Sequence, residues 1–139
     1  MEKVFKQQIN NNISSLPILL ENIENFCIEN TLDNEVVFEI NVIMDELVSN
    51  IIRHGYVDNL EHYIWANLKL FNDRIEIEII DDGIEFNPLE HQNVKSLNKL
   101  EDIKIGGLGI DIAKHYSSSI GYKRIENKNI LTIIKKLKS

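Results

Sequence analysis

Two hydrophobic periods run along this chain, and the switch between them marks out its elements. The opening KVFKQQI reads as a short strand. From Ser15 to Glu29, Leu16, Leu19, Leu20, Ile23, Phe26 and Cys27 recur at helical spacing, and Pro17 is tolerated in a first turn. A second helix is predicted from Asp33, a suitable N-cap, to Gly55, with Ile40, Met44, Leu47, Val48 and Ile51 as its apolar stripe. After His62 the period becomes two. Ile64, Ala66, Leu68 and Leu70 alternate with Tyr63, Trp65, Asn67 and Lys69, and beyond a turn at Phe71–Arg74, Ile75, Ile77 and Ile79 alternate with Glu76 and Glu78. That pair reads as an antiparallel hairpin. Asp82 to Gly107 is polar and irregular, and at roughly 25 residues it is longer than a passive connection needs. A short helix from Gly109 to about Ser117 follows. A last hairpin is predicted from Ile120–Ile125 and Ile130–Leu137, turning through Glu126-Asn127-Lys128-Asn129. Since each element has one apolar face to bury, the expected architecture is a two-layer α+β sandwich with a mixed, mostly antiparallel sheet.

Composition narrows the function. The 139 residues are 43% hydrophobic and 27% charged, an ordinary single-domain globule able to form a core without disulfides; Cys27 is the only cysteine. No apolar run approaches the roughly 18 residues that span a bilayer, and the opening MEKVFKQQINNN lacks a signal-peptide core, so a cytoplasmic protein is expected. The net charge of −7, with no basic stretch longer than the closing KKLK, disfavours direct nucleic-acid binding. His62, His91 and His115 lack metal-site spacing. Trp65 and Tyr63 share one strand face, either a candidate dimer or partner surface or packing under a helix.

Three stretches carry candidate chemistry. In DELVSNIIRHGY, Glu46 and Asn50 lie four apart on one helix face, with Arg53 and His54 continuing that stripe. A Glu and an Asn facing one cavity supply a base and a hard oxygen ligand for Mg²⁺, groups that phosphoryl transfer requires; a wet helix flank is the competing reading. In IIDDGIEFNP, a strand runs into Asp81-Asp82-Gly83, where a carboxylate meets an amine and a glycine leaves room for a flat ring; a plain turn competes. In IGGLGIDIAKHY, Gly106, Gly107 and Gly109 precede a helix whose N-terminus suits a phosphate chain, or else they form a hinge.

In this order the three stretches resemble the ATP-binding module shared by DNA gyrase, heat-shock chaperones, sensor histidine kinases and mismatch-repair ATPases, the GHKL or Bergerat fold. Within that superfamily, DELVSNIIRHGY, DDGIEFNPL, GGLGIDIAKHY and the closing NILTIIKKL are most similar to the small anti-sigma-factor serine kinases of bacteria, over nearly the whole chain. The resemblance implies one domain over 1–139, helices on one face of the sheet, and a lid at about 87–106. It implies ATP and Mg²⁺ as cofactors. Asn50 would hold the Mg²⁺, Glu46 would act as general base, Asp81 would accept from the adenine amine, and Gly83 would admit the ring. Thr132 would support Asp81 directly or through water. Gly106, Gly107, Leu108, Gly109 and Ile110 would wrap the phosphates, with Arg53 and His54 as additional phosphate contacts. Two departures stand out: Glu85 replaces a second glycine of the wider superfamily, and the loop begins Ile105-Gly106-Gly107 where histidine kinases have Gly-x-Gly.

The function so implied is an ATP-dependent serine kinase and anti-sigma factor, with a sigma factor and an anti-sigma antagonist of STAS type as partners and a homodimer as an open option. A sequestering module without transfer activity and a detached histidine-kinase-like catalytic domain are the alternatives.

Overall fold

The computed structural model describes residues 2–91 and 108–137. Its strands and helices are β1 (Lys3–Asn10), α1 (Leu16–Glu29), α2 (Asn34–His54), β2 (Tyr63–Leu70), β3 (Arg74–Asp81), α3 (Leu108–Tyr116), β4 (Ser119–Ile125) and β5 (Lys128–Lys136). Single 3₁₀ turns occupy Ile13–Ser15 and Pro88–His91. The described residues of the expected lid reach only to His91, and its remainder lies outside the described residues.

The strands form one sheet in the order β1-β2-β3-β5-β4. All four pairings are antiparallel, so the mixed sheet expected from the sequence is replaced by a uniformly antiparallel one among the described residues. The last strand enters between β3 and β4, which sets the start of β5 against the end of β3: Asp81 pairs with Asn129.

Burial follows the two periods. Ile64, Ala66 and Leu68 of β2, Ile75, Ile77 and Ile79 of β3, and Leu131 and Ile133 of β5 point to one face. There they meet Leu19, Ile23 and Cys27 of α1, Ile40, Met44 and Val48 of α2, and Ile110 and Ala113 of α3 in one core. Burial lifts the Cys27 thiol to about 11, so this cysteine is an inert core residue. Among the described residues no helix covers the opposite face of the sheet. Trp65 lies there rather than under a helix, its Nε1 donating to Gln8 Oε1 at 3.0 Å and the Lys128 ammonium 5.0 Å from its ring centre.

Two ends differ in detail from the pattern. Asp33 is the N-cap of α2, yet its side chain makes no capping bond. Gly55 ends α2 in right-handed backbone (φ −84°), so it stops the helix without a left-handed turn. Its carbonyl instead accepts from Ile84 N at 2.8 Å, which sutures the end of α2 to the segment after β3.

One ion pair ties three elements together. Lys135 of β5 points inward and places its ammonium 2.5 Å from Glu39 Oε1 of α2, and it donates to the Tyr116 carbonyl at the C-terminus of α3 at 2.7 Å. The ammonium so placed also favours the negative end of the α3 dipole. Removing one partner of a nearly buried pair leaves a charge uncompensated. Lys135→Met should therefore lower unfolding free energy by about 3 kcal/mol, measured by urea denaturation with Trp65 fluorescence. A loss below about 0.5 kcal/mol, the scale of exposed pairs, would contradict this role.

Candidate functional site

The site grows from a buried carboxylate. Asp81 ends β3 on the helix-facing side of the sheet and is only 4% exposed. A charge in that position needs donors. Asp81 Oδ1 accepts from Gly83 N at 2.8 Å and from Asn129 Nδ2 at 3.0 Å. Among the described residues both bonds fall on Oδ1, which leaves Oδ2 as an acceptor for a ligand. Burial raises the Asp81 pKa above the ordinary carboxylate range; the bonds from Asn129 and Gly83 and the positive charge of Arg124 oppose that rise, while Asp82 adds to it.

Gly83 is required here by space. A Cβ on it would stand 2.3 Å from the Gly55 carbonyl oxygen and 3.0 Å from Asp81 Oδ1. The Asp81–Gly83 turn thus lies directly on the end of α2, the helix that carries Glu46 and Asn50 on one face. Both of those side chains are half-buried. Ser49, between them in sequence, is buried and returns its hydroxyl to the Glu46 carbonyl at 3.2 Å. Arg53 and His54 are exposed on the last turn of the same helix.

Tyr56 closes this end of the site. Its hydroxyl is sealed from solvent without a hydrogen-bond partner among the described residues. Its pKa is raised by burial and by the nearby charges of Asp81 and Asp82. The ring stacks on His62, with centres 4.6 Å apart, and His62 bridges Asp58 (2.7 Å) and Asp82 (3.2 Å). Hydrogen bonds to these carboxylates raise the His62 pKa.

The residue behind Asp81 is the one the sequence reading missed. Thr132 does not support Asp81. The turn between β4 and β5 has two residues, Glu126 and Asn127, both at positive φ (51° and 66°), so β5 begins at Lys128. Asn129 is then a strand residue opposite Asp81, and strand parity sends Thr132, opposite Glu78, to the open face, where it is exposed. Asn129 is 6% exposed and is a hub. Its Nδ2 donates to Asp81 and to the Ile84 carbonyl (2.7 Å), while its Oδ1 accepts from Tyr122 Oη (2.6 Å) and Arg124 Nη1 (3.1 Å). Arg124 also donates to the Gly83 carbonyl at 2.9 Å. The available signal was the tight Glu-Asn turn, which reassigns Asn129 from loop to strand.

Of the expected phosphate loop, Gly106 and Gly107 lie outside the described residues. Leu108, Gly109 and Ile110 form the first turn of α3, which packs against α2. Ile110 is 3% exposed, in the core, so only its backbone is available to a ligand. Among the described residues no group of His, Cys, Asp and Glu forms a metal site, and no helix is long and apolar enough to cross a membrane.

A strand-end carboxylate, a glycine that admits no side chain, and the end of the helix that carries Glu46 and Asn50 thus meet on a two-layer sandwich of the histidine kinase-like ATPase class. Residues 9–135 match the histidine kinase-like ATPase domain, and the chain belongs to that family. It is 24% identical over 96 residues to the serine/threonine-protein kinase BtrW of Bordetella bronchiseptica, covering 69% of this chain and 68% of that one. It is 27% identical over 82 residues to the anti-sigma F factor of Oceanobacillus iheyensis, covering 59% of this chain and 56% of that relative. In fold it is similar to the RsbU and RsbW domains of a Mycobacterium tuberculosis protein, with a TM-score of 0.68 and 14% identity over 97% of this chain and 32% of that one. It is also similar to the histidine kinase AdeS of Acinetobacter baumannii, with a TM-score of 0.51 and 12% identity over 99% of this chain and 70% of that one.

A carboxylate whose pKa is raised by burial destabilises the fold while ionised. Asn at position 81 keeps an oxygen for both donors and removes the charge. Asp81→Asn should therefore melt at a higher temperature than the wild type at pH 7, and the gap should close as pH falls through the raised Asp81 pKa, where the wild type takes up its proton. Scanning calorimetry across that range checks this. A variant that melts lower at pH 7 would contradict the assignment.

Proposed function

We propose that this chain binds ATP with Mg²⁺ and transfers the γ-phosphoryl to a serine of a small antagonist protein, while otherwise holding a sigma factor inactive. The observation that carries this reading is the seating of the Asp81–Gly83 turn on the end of the helix that bears Glu46 and Asn50. The residues fit a nucleotide. Asp81 Oδ2 is an acceptor-only group for an exocyclic amine, and the bare backbone of Gly83 admits a flat ring. Asn50 offers one hard oxygen to Mg²⁺, in keeping with an ion that draws its other ligands from phosphates and water. The bound ion and triphosphate supply charge neutralisation and the transferable group. The N-terminal turn of α3, with Gly106 and Gly107 before it, would offer amides to the phosphates, and Arg53 and His54 would reach them from α2.

Glu46 is the group suited to take the proton from an incoming hydroxyl. Phosphoryl transfer asks little more of a protein than positioning, charge stabilisation and that base. The names of the Bordetella serine/threonine-protein kinase and of the anti-sigma F factor support a hydroxyl acceptor and a sigma factor as one partner; the serine and the STAS-type antagonist follow from the resemblance of the motifs. On this reading 1–139 act as one domain, the segment at about 87–106 is the lid, and partners compete for a surface whose state the nucleotide biases.

Glu46→Gln should bind ADP with Mg²⁺ within about twofold of the wild type in a calorimetric titration. It should slow single-turnover transfer from γ-labelled ATP to an antagonist protein by roughly 100-fold or more. An undiminished rate would remove Glu46 as the base. Loss of the label in acid would mark a phosphohistidine and turn the reading toward a histidine-kinase-like domain.

A further inference from the structure

The hydrogen-bond pattern around Asn129 has one solution. A carboxamide carries one acceptor and one donor end, and which end faces where is decided by its neighbours. Arg124 can only donate, and the Ile84 carbonyl can only accept. Arg124 Nη1 lies 3.1 Å from Asn129 Oδ1, and the Ile84 oxygen lies 2.7 Å from Nδ2. The Tyr122 hydroxyl, 2.6 Å from Oδ1, fits the same orientation. The amide nitrogen is therefore committed to Asp81, and a flipped amide would set oxygen against the Ile84 oxygen and nitrogen against a guanidinium.

This orientation acts on Asp81 in two ways. With Gly83 N and Asn129 Nδ2 both on Oδ1, rotation of the carboxylate is blocked and Oδ2 is the oxygen left for a ligand. The donated bond also favours the ionised carboxylate, which accepts only. A purine with an exocyclic amine satisfies such an oxygen. A purine with a carbonyl at the same place sets two acceptors against each other, a buried mismatch.

We propose that Asn129 is a positioning residue that sets base specificity, holding Asp81 so that the site selects a 6-amino purine nucleotide over a 6-oxo purine nucleotide. Asn129 itself need not touch the base. The inference rests on the nucleotide reading above and adds to it the residue that enforces the choice of base. Tyr122 and Arg124 of β4 orient Asn129, so the edge strand takes part in specificity without entering the pocket.

The test is calorimetric titration of the full chain with ADP and with inosine 5′-diphosphate, both with Mg²⁺. The proteins are the wild type, Asn129→Leu and Tyr122→Phe. Asn129→Leu keeps the size of the side chain but carries no donor for Asp81. The wild type should prefer ADP by at least about tenfold, the range of one hydrogen bond to a charged group. In Asn129→Leu the preference should fall to within about threefold, because ADP affinity drops while inosine diphosphate affinity holds. Tyr122→Phe, which removes one hydroxyl, should lower the preference by about twofold or more, and it decides the matter if Asn129→Leu does not fold. Equal loss for both nucleotides would mean a merely structural role and overturn the inference, as would an unchanged preference. ADP binding that ignores these variants overturns the inference alone. A wild type that binds neither nucleotide removes the nucleotide reading and the inference with it.

Discussion

A carboxylate at the end of a central strand, nearly closed off from water, is the constraint on which the rest of this molecule depends. Such a group persists only if donors converge on it. The sequence provides one donor locally, from Gly83, and obtains the other from a residue 48 positions away, Asn129. That second donor requires β5 to enter the sheet beside β3 rather than at the edge. The sheet order, the tight β4–β5 turn and the inward position of Asn129 are therefore linked to Asp81 as much as to core packing.

The same carboxylate binds the two layers. Gly83 has room only because it has no Cβ, and its approach to the Gly55 carbonyl fixes the strand end against the helix end. The Ile84 amide closes that contact from the next residue. At the far end of the core, Lys135 does a comparable job for α2, β5 and the C-terminus of α3. Among the described residues these two polar fasteners thus sit at opposite ends of a largely apolar interior. The Asp81 fastener is a local cost to stability, because burial disfavours its ionised form.

Much of this was legible in the residues. The periods of 3.6 and 2 placed every strand and helix within a few positions, because Ile, Leu and Val fall so regularly on one face. Asp81, Gly83, Glu46 and Asn50 stand out through the order of their motifs, a Glu and an Asn on one helix face followed by an acid and a glycine at a strand end, since each motif alone also reads as a wet flank or a plain turn. What the pattern did not contain was strand order, since hairpins are local and the β3–β5 pairing is not. Asn129 was hidden for a related reason. Asn-Lys-Asn reads as turn chemistry, and only the two-residue turn at Glu126–Asn127 moves Asn129 into the strand. The one-residue sensitivity of strand parity then sent Thr132 to the wrong face for its expected role.

On the function proposed above, Asp81, with one oxygen held by Gly83 and Asn129, presents the other to the amine of an adenine nucleotide. A crystal structure of the chain grown with ADP and Mg²⁺ decides it. The exocyclic amine of the base should lie within hydrogen-bonding distance of Asp81 Oδ2, with Asn129 Nδ2 still on Oδ1 and the ring lying over Gly83. A nucleotide bound elsewhere, or a base that leaves Asp81 without a partner, would contradict it.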